Sequence, residues 1–120
     1  MVYDVSKGEL ELAMKKYLQW CFVQESPPLV GDLAMKLDVA PWQLGRGVKR
    51  HFGISVHEYF KRAQINRAKQ LVCDPRIPLN DVAYRCGFVT RATFFRVFRE
   101  RSGLTPATYR RRFAANVASA

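Results

Sequence analysis

One pattern occurs twice along this 120-residue sequence and limits the possible folds more than any other feature. A short apolar helical segment, a tight turn and a basic helical segment follow one another at about residues 30–51. The same order returns at about residues 79–101, and a long helical pattern separates the two copies. A short helix, a turn and a second helix form a helix-turn-helix unit. The sequence therefore predicts two such units joined by one long helix.

Helical periodicity continues through the rest of the chain and predicts about seven helices, with no convincing strand pattern. Ser6 and Ser55 each precede a glutamate by three residues, which is the capping-box pattern of a helix start. Proline and glycine fall between the helical patterns, where helices begin and end. The predicted fold is all-α, with two helix-turn-helix subdomains joined by a long linker helix. The predicted helices cover about residues 7–24, 30–37, 41–51, 55–73, 79–85, 91–101 and 106–113.

This arrangement predicts four segments. Residues 1–54 contain an N-terminal helix and the first lobe, 55–74 the linker helix, 75–113 the second lobe and 114–120 a frayed tail. The first helix should bury a stripe that recurs at helical spacing. That stripe consists of Leu10, Met14, Tyr17, Leu18 and Cys21. On the fourth helix, the predicted apolar side consists of Tyr59, Ile65, Ala68, Leu71 and Val72.

The charge of the chain is unevenly distributed. The net charge is +10, yet residues 1–40 carry four basic and six acidic residues, whereas residues 41–120 carry sixteen basic and four acidic ones. A basic field of this size attracts polyanions. Nucleic acid, an anionic membrane and a solvated surface without a partner all agree with the sign of the charge.

The sequence does not contain the residue patterns that metal sites, disulfide frameworks and enzyme active sites require. The three cysteines include no pair at CxxC spacing, and the two histidines are distant from them in sequence, so neither a metal site nor a disulfide framework is predicted. No triad, paired carboxylates or glycine-rich phosphate loop indicates an enzyme. No cofactor or small-molecule ligand is expected. No apolar run reaches 18 residues and no signal pattern begins the chain, which predicts a cytoplasmic protein without a membrane partner.

The third and sixth helices combine an apolar face with a cationic one. Such a helix can pack on a core and enter the major groove of DNA, where every base pair presents a distinct pattern of donors and acceptors. Arg46 and Arg96 suit guanine, Gln43 suits adenine, and Ala92 and Thr93 suit the thymine methyl group. The predicted phosphate contacts are Lys49, Arg50, Arg99, Arg110, Arg111 and Arg112.

The stretch GFVTRATFFRVFRERSGLTPATYRRRF, from Gly87 onward, resembles the C-terminal signature of the AraC/XylS family of transcription regulators. The resemblance covers about residues 29–113. Its fixed intervals include Val82, Gly87, Phe88, Phe94, Arg96, Phe98, Gly103, Pro106, Tyr109 and Arg110 in the second half. The first half contributes Leu33, Ala34, Leu44, Arg46, Lys49, Phe52, Gly53, Tyr59, Arg67, Ala68 and Leu71.

The resemblance implies a bilobed all-α domain whose two recognition helices enter successive major grooves on one face of double-stranded DNA. It also implies RNA polymerase as a partner, because members usually activate transcription beside it. The reading positions implied are Trp42, Gly45 and Arg46 in the first lobe, and Arg91, Ala92, Thr93, Phe95 and Arg96 in the second. Most members also carry a ligand-binding domain on the N-terminal side, whereas residues 1–26 suffice for one packing helix. A small stand-alone member and a fragment of a longer regulator both agree with that length.

The sequence departs from the family pattern in both lobes. Gly45 and Gly47 lie inside the third helix, and Val48 replaces the usual phenylalanine. Arg91 stands where glutamine or serine is common, and Ser102 replaces a usual aromatic residue. A sequence-tolerant RNA- or nucleoid-binding module remains the alternative function, because it would use the same basic surface without reading bases. Trp42 could face the groove or cover the lobe.

Overall fold

The computed structural model describes residues 5–118, with side chains through Ala114. Over this range the chain forms seven helices and no strand. The helices are α1 (Lys7–Gln24), α2 (Val30–Lys36), α3 (Pro41–Phe52), α4 (Val56–Val72), α5 (Leu79–Arg85), α6 (Arg91–Ser102) and α7 (Pro106–Ala118). The predicted all-α architecture with two helix-turn-helix units, α2–α3 and α5–α6, is confirmed.

Local signals set several helix ends. The hydroxyls of Ser6, Ser55 and Thr90 each accept a hydrogen bond from the backbone N–H three residues later, at 3.1, 3.0 and 3.1 Å. Each bond satisfies a donor that the first turn of a helix leaves unpaired. Gly53 and Gly103 follow α3 and α6 in the left-handed conformation, with φ of 75° and 81°. Glycine adopts this conformation without a steric penalty, so both helices end there.

The chain divides into two compact units. The first contains the described residues up to Cys21 together with Pro28–Ala63, and the second contains Phe22–Pro27 and the described residues from Gln64 onward. The sequence predicts residues 55–74 as a separate linker helix. In the structure, the part of α4 up to Ala63 belongs to the first unit and the part from Gln64 belongs to the second.

The core of the first unit rests on α1. The five residues of the predicted α1 stripe are all buried, as is the inner side of α2 and α3. The Tyr17 hydroxyl accepts a hydrogen bond from the Leu29 backbone N–H at 2.9 Å and lies 3.0 Å from Asp32 Oδ2, to which it donates. Burial raises the pKa of Tyr17, so the hydroxyl keeps its proton for this bond. Tyr17 thereby fixes the start of α2 against α1.

The core of the second unit is aromatic. Phe94 and Phe98 are completely buried, and Phe94 contacts the rings of Phe88 and Phe98 at centroid distances of 5.4 and 5.6 Å. Tyr109 meets Phe98 edge-on at 5.3 Å. Burial raises the pKa of the Cys86 thiol to about 12, which keeps it neutral as a core residue. This cluster supports the inner face of α6.

Two details of helix packing and length differ from the expectation. Tyr59 contacts the ring of Phe52 and Leu71 packs against the core of the second unit, so both belong to the predicted apolar side of α4. Both are only half-buried, however, and Phe60 supplies the buried aromatic ring. The second concerns the tail, because α7 continues past Phe113 to Ala118. Neither glycine nor proline interrupts residues 114–118, and the buried Ala114 gives the helix a packing contact beyond the predicted end. Residues 119–120 of the predicted frayed tail lie outside the described residues.

Candidate nucleic-acid interface

The helices α3 and α6 correspond position by position with an offset of 50 residues. Both begin and end at matching positions, and both are followed by a left-handed glycine. Their buried residues match as well: Leu44, Gly47 and Val48 in α3, and Phe94, Val97 and Phe98 in α6. Their exposed residues also match: Trp42, Arg46, Lys49 and Arg50 in α3, and Ala92, Arg96, Arg99 and Glu100 in α6. Each unit therefore presents the same outer face of the second helix of its helix-turn-helix.

In the first unit, Arg46 and Trp42 form one exposed surface on α3. Trp42 is 63% exposed, and the Arg46 guanidinium carbon lies 5.9 Å from the centre of its ring. A cation–π contact at an exposed site stabilises by roughly 0.5–1 kcal/mol, enough to favour one arrangement of the arginine. The exposed indole does not fit the interpretation in which Trp42 covers the lobe.

Gln43 lies on the same turn of α3 but is half-buried. Its Oε1 accepts a hydrogen bond from the Ala40 backbone N–H at 2.8 Å, as the third helical residue does in a capping box. Bidentate pairing with adenine requires both the amide oxygen and the amide nitrogen. The helix cap already uses one of the two acceptor positions of the Gln43 amide oxygen.

In the second unit, Arg91, Ala92 and Arg96 are exposed on α6. The Arg96 Nη1 lies 3.4 and 3.5 Å from the two carboxylate oxygens of Glu100, one turn further along the helix. Both side chains are about three-fifths exposed. The guanidinium therefore stands in solvent beside a carboxylate.

Thr93 and Phe95, the other two predicted readers of α6, are half-buried. Thr93 belongs to the helix cap, since Thr90 Oγ1 accepts from its backbone N–H and lies 2.9 Å from its hydroxyl. The ring of Phe95 contacts that of Phe94 at 5.5 Å and lines a cleft of about 570 Å³ beside Arg96. Both residues thus have packing or capping roles at the border of the exposed surface.

The predicted phosphate-binding cations differ in their surroundings. Lys49 Nζ donates to the Gly53 carbonyl at 3.1 Å, and Arg111 Nη2 donates to Thr108 Oγ1 at 3.1 Å. The exposed members of the set are Lys49, Arg50, Arg99, Arg111 and Arg112.

Arg110 is the exception, because it is half-buried and binds backbone carbonyls. Its Nε donates to Val72 O at 2.8 Å, and its Nη2 donates to Asp74 O at 3.1 Å and to Ile77 O at 2.5 Å. Val72 ends α4, and Asp74 and Ile77 belong to the connection between α4 and α5. Nε and Nη2 are occupied by these backbone carbonyls, so the phosphate contact predicted for Arg110 would have to use Nη1. The sequence offers no signal of this role.

A further residue that supports the site is Gln64, which sequence reasoning missed. Its side chain is 2% exposed, and its Nε2 donates to the carbonyls of Cys86 and Gly87 at 3.0 and 3.2 Å. These carbonyls form the turn between α5 and α6, where Gly87 has a φ of 78°. Gln64 therefore holds the turn that orients α6.

The described residues contain no group of three His, Cys, Asp or Glu side chains that could hold a metal ion. No helix in this part of the chain combines the length and apolar character needed to cross a bilayer.

Comparison with known families agrees with this geometry. Residues 33–112 match a helix-turn-helix domain family. The chain belongs to the AraC-type family of transcription regulators. The AraC/XylS resemblance found in the sequence is thereby confirmed, and the family is one of regulators rather than of enzymes.

Among relatives of this AraC-type chain is the probable transcriptional regulator LumQ of Photobacterium leiognathi. It is 34% identical over 80 residues, which cover 67% of this chain and 32% of LumQ. The transcriptional activator RhaR of Yersinia pseudotuberculosis is 30% identical over 84 residues, which cover 70% of this chain and 29% of RhaR. The chain spans about a third of the length of these curated relatives.

Solved structures share the AraC-type fold. The DNA-binding domain of the transcriptional factor AdpA, solved in complex with a target DNA, has a TM-score of 0.75 against this chain. The similarity covers 87% of this chain and 95% of that domain at 21% identity. It shows that the two chains share a fold.

Gly45 lies in the middle of α3. A Cβ atom at this position would meet nothing within 4 Å, so close packing does not require glycine. We expect Gly45→Ala to raise the free energy of unfolding by about 0.5–1 kcal/mol, because alanine loses less conformational entropy in a helix. Denaturant unfolding measures the change.

Gly53→Ala is the matched control, because that glycine also has open space around it but adopts a φ of 75°. It should lower the free energy of unfolding by about 1 kcal/mol. If Gly45→Ala instead lowered the free energy of unfolding, the space around Gly45 would be needed for close packing, and the expectation would be wrong.

Proposed function

We propose that this chain is a sequence-specific double-stranded DNA-binding transcription regulator that inserts α3 and α6 into adjacent major grooves. The observation that carries the proposal is the equivalent, exposed placement of Arg46 and Arg96 on two matched helices. Both helices turn an apolar face to the core and a cationic face to solvent. A guanidinium on such a face can pair with guanine O6 and N7.

The proposed readers differ in how directly they are supported. Exposure favours Arg46 and Trp42 on α3 and Arg91, Ala92 and Arg96 on α6. Gln43, Thr93 and Phe95 are proposed to contribute from the border of the surface, after changes in their present contacts. Lys49, Arg50, Arg99 and Arg111 are proposed to bind phosphates, with a lesser contact from Arg110. Phosphate contacts position a protein on DNA, whereas base contacts carry the sequence information.

The proposal requires the two recognition helices to enter the duplex about one helical turn, roughly 34 Å, apart. It further assigns an activating role with RNA polymerase as partner, supported by the activator RhaR among the relatives. A cytoplasmic location follows from the same proposal, because the chain would act on the duplex and the polymerase there.

Selection of duplexes from a random pool tests the proposal against the alternative of sequence-tolerant binding. Enrichment of a motif with two elements about one helical turn apart supports a two-helix regulator. Flat enrichment together with a steep salt dependence supports a sequence-tolerant nucleic-acid binder, which the net charge of +10 would also allow.

Arg96→Ala is expected to weaken binding to the selected site by roughly 1–3 kcal/mol and to relax the preference at one base pair. The reason is the loss of two parallel hydrogen bonds to a guanine edge. Competition binding with single-base variants of the site measures both effects.

Arg67→Ala provides the control, because it removes the same charge from an exposed position of α4. It should leave the base preference unchanged. An equal loss of affinity on every sequence in Arg96→Ala would assign Arg96 to a phosphate.

A further inference from the structure

The carboxylate of Glu100 lies on the proposed DNA-reading face of α6. Glu100 is one of four acidic residues within residues 41–120. At the matching position of α3, fifty residues earlier, the chain carries Arg50. An acidic residue on this face opposes binding to a polyanion, so its place beside Arg96 calls for a physical reason.

Stability does not supply that reason. The Arg96 Nη1 is 3.4 and 3.5 Å from the two Glu100 oxygens, and the two side chains are 62% and 60% exposed. An exposed ion pair one helical turn apart contributes little to the stability of a fold. The pair therefore matters mainly for how α6 binds DNA.

The contact with Glu100 leaves the Nε–Nη2 edge of the Arg96 guanidinium available for a base. Only Nη1 approaches Glu100, and bidentate pairing with guanine O6 and N7 can use the parallel N–H groups of Nε and Nη2. The carboxylate also restricts a long side chain with several rotamers, which lowers the entropy that Arg96 loses on binding. The same contact can thus support the arginine on a base edge.

Guanine and phosphate differ in charge, so Glu100 affects their binding to Arg96 differently. Guanine O6 and N7 are neutral acceptors, whereas a phosphate carries a full negative charge that Glu100 would repel at short range. Glu100 therefore weakens binding more when Arg96 contacts a phosphate than when Arg96 contacts guanine. The pair favours base reading over non-specific attraction.

We propose that Glu100 is a positioning residue that sets sequence specificity by restraining Arg96 and excluding phosphate from it. The inference rests on the proposed function, because it requires Arg96 to read a base. The α3 helix has an arginine at the matching position, so Arg46 has no carboxylate there to repel phosphate. The second unit should therefore discriminate between sequences more strongly than the first.

Glu100→Gln tests the proposal, since it removes the charge and keeps the size of the side chain. Binding is measured on the selected site, on the same site with the Arg96-dependent base pair replaced, and on unrelated duplex. Affinity for the replaced and unrelated duplexes should rise roughly 3–10-fold, and affinity for the selected site should rise less. The salt slope on unrelated duplex should become steeper by up to about 0.9.

Two comparisons make the result specific to Arg96. Glu11→Gln removes the same charge from an exposed pair one turn apart on α1, where Glu11 lies 3.1 Å from Lys15. It should leave the ratio between selected and replaced sites unchanged. In an Arg96→Ala background, Glu100→Gln should no longer alter that ratio, because the effect acts through the arginine.

The outcomes separate this inference from the proposed function. If the wild-type chain prefers a site but Glu100→Gln strengthens selected and replaced sites equally, Glu100 is only a bulk charge and the inference is wrong. The inference is also wrong if the effect of Glu100→Gln persists without Arg96. If the wild-type chain shows no preferred site, the proposed function itself fails, and this inference fails with it.

Discussion

Arg110→Ala is expected to lower the free energy of unfolding by about 2–5 kcal/mol. The substitution removes hydrogen bonds from a charged donor to three backbone carbonyls, those of Val72, Asp74 and Ile77. Hydrogen bonds that involve a charged group contribute about 1.5–3 kcal/mol each, and acceptors left buried without a partner cost more. Water can reach part of this half-buried site, so the losses do not add fully. Denaturant unfolding monitored by circular dichroism measures the change.

Arg111→Ala is the matched control, because it removes the same charge from the next residue, which is exposed. Its effect on the free energy of unfolding should stay within about 0.5 kcal/mol. Arg110→Lys should also destabilise, because one ammonium group cannot reproduce the fork of the guanidinium. If Arg110→Ala keeps wild-type stability but weakens binding equally on all duplexes, its main role is the phosphate contact predicted from the sequence.

Gln64→Leu is expected to lower the free energy of unfolding by about 2–4 kcal/mol. Leucine fits the helix and the volume, but it leaves the carbonyls of Cys86 and Gly87 without their donor in a buried place. Each unsatisfied buried acceptor costs about 1–3 kcal/mol. Thermal and denaturant unfolding measure the loss, and amide hydrogen exchange should show faster exchange at the α5–α6 turn.

Gln70→Leu is the control for Gln64→Leu, because it makes the same change at an exposed position of the same helix. It should change the free energy of unfolding by no more than about 0.5 kcal/mol. Because the turn orients α6, Gln64→Leu should also weaken binding to the selected site under conditions in which the variant is folded. Unchanged stability would mean that water replaces the amide, and the support assigned to Gln64 would be wrong.

Several features of the fold could be predicted because their causes are local in sequence. The caps at Ser6, Ser55 and Thr90 depend on a hydroxyl and a backbone N–H three residues apart. The α1 stripe depends on apolar residues three and four apart, and all five of its members are buried. The equivalence of Arg46 and Arg96 could be found in the same way, because it follows from a repeated pattern.

The pairing of Arg96 with Glu100 is also local, since the two residues are one turn apart. Their spacing is a signal for this contact that sequence reasoning missed. Both side chains are exposed on the face of α6 opposite Phe94 and Phe98, which are completely buried.

By itself, the sequence determined where the helices begin, which of their faces carry charge and which family they belong to. The helix starts and the charged faces follow from interactions within one or two helical turns, and the family follows from intervals repeated over residues 33–112. Only the tertiary structure decided that Arg110 and Gln64 bind backbone carbonyls 22 to 38 residues away, and that Phe60 rather than Tyr59 fills the core. Carbonyl groups are the same in every residue, so no sequence pattern marks the ones that the folded chain brings to a distant arginine or glutamine.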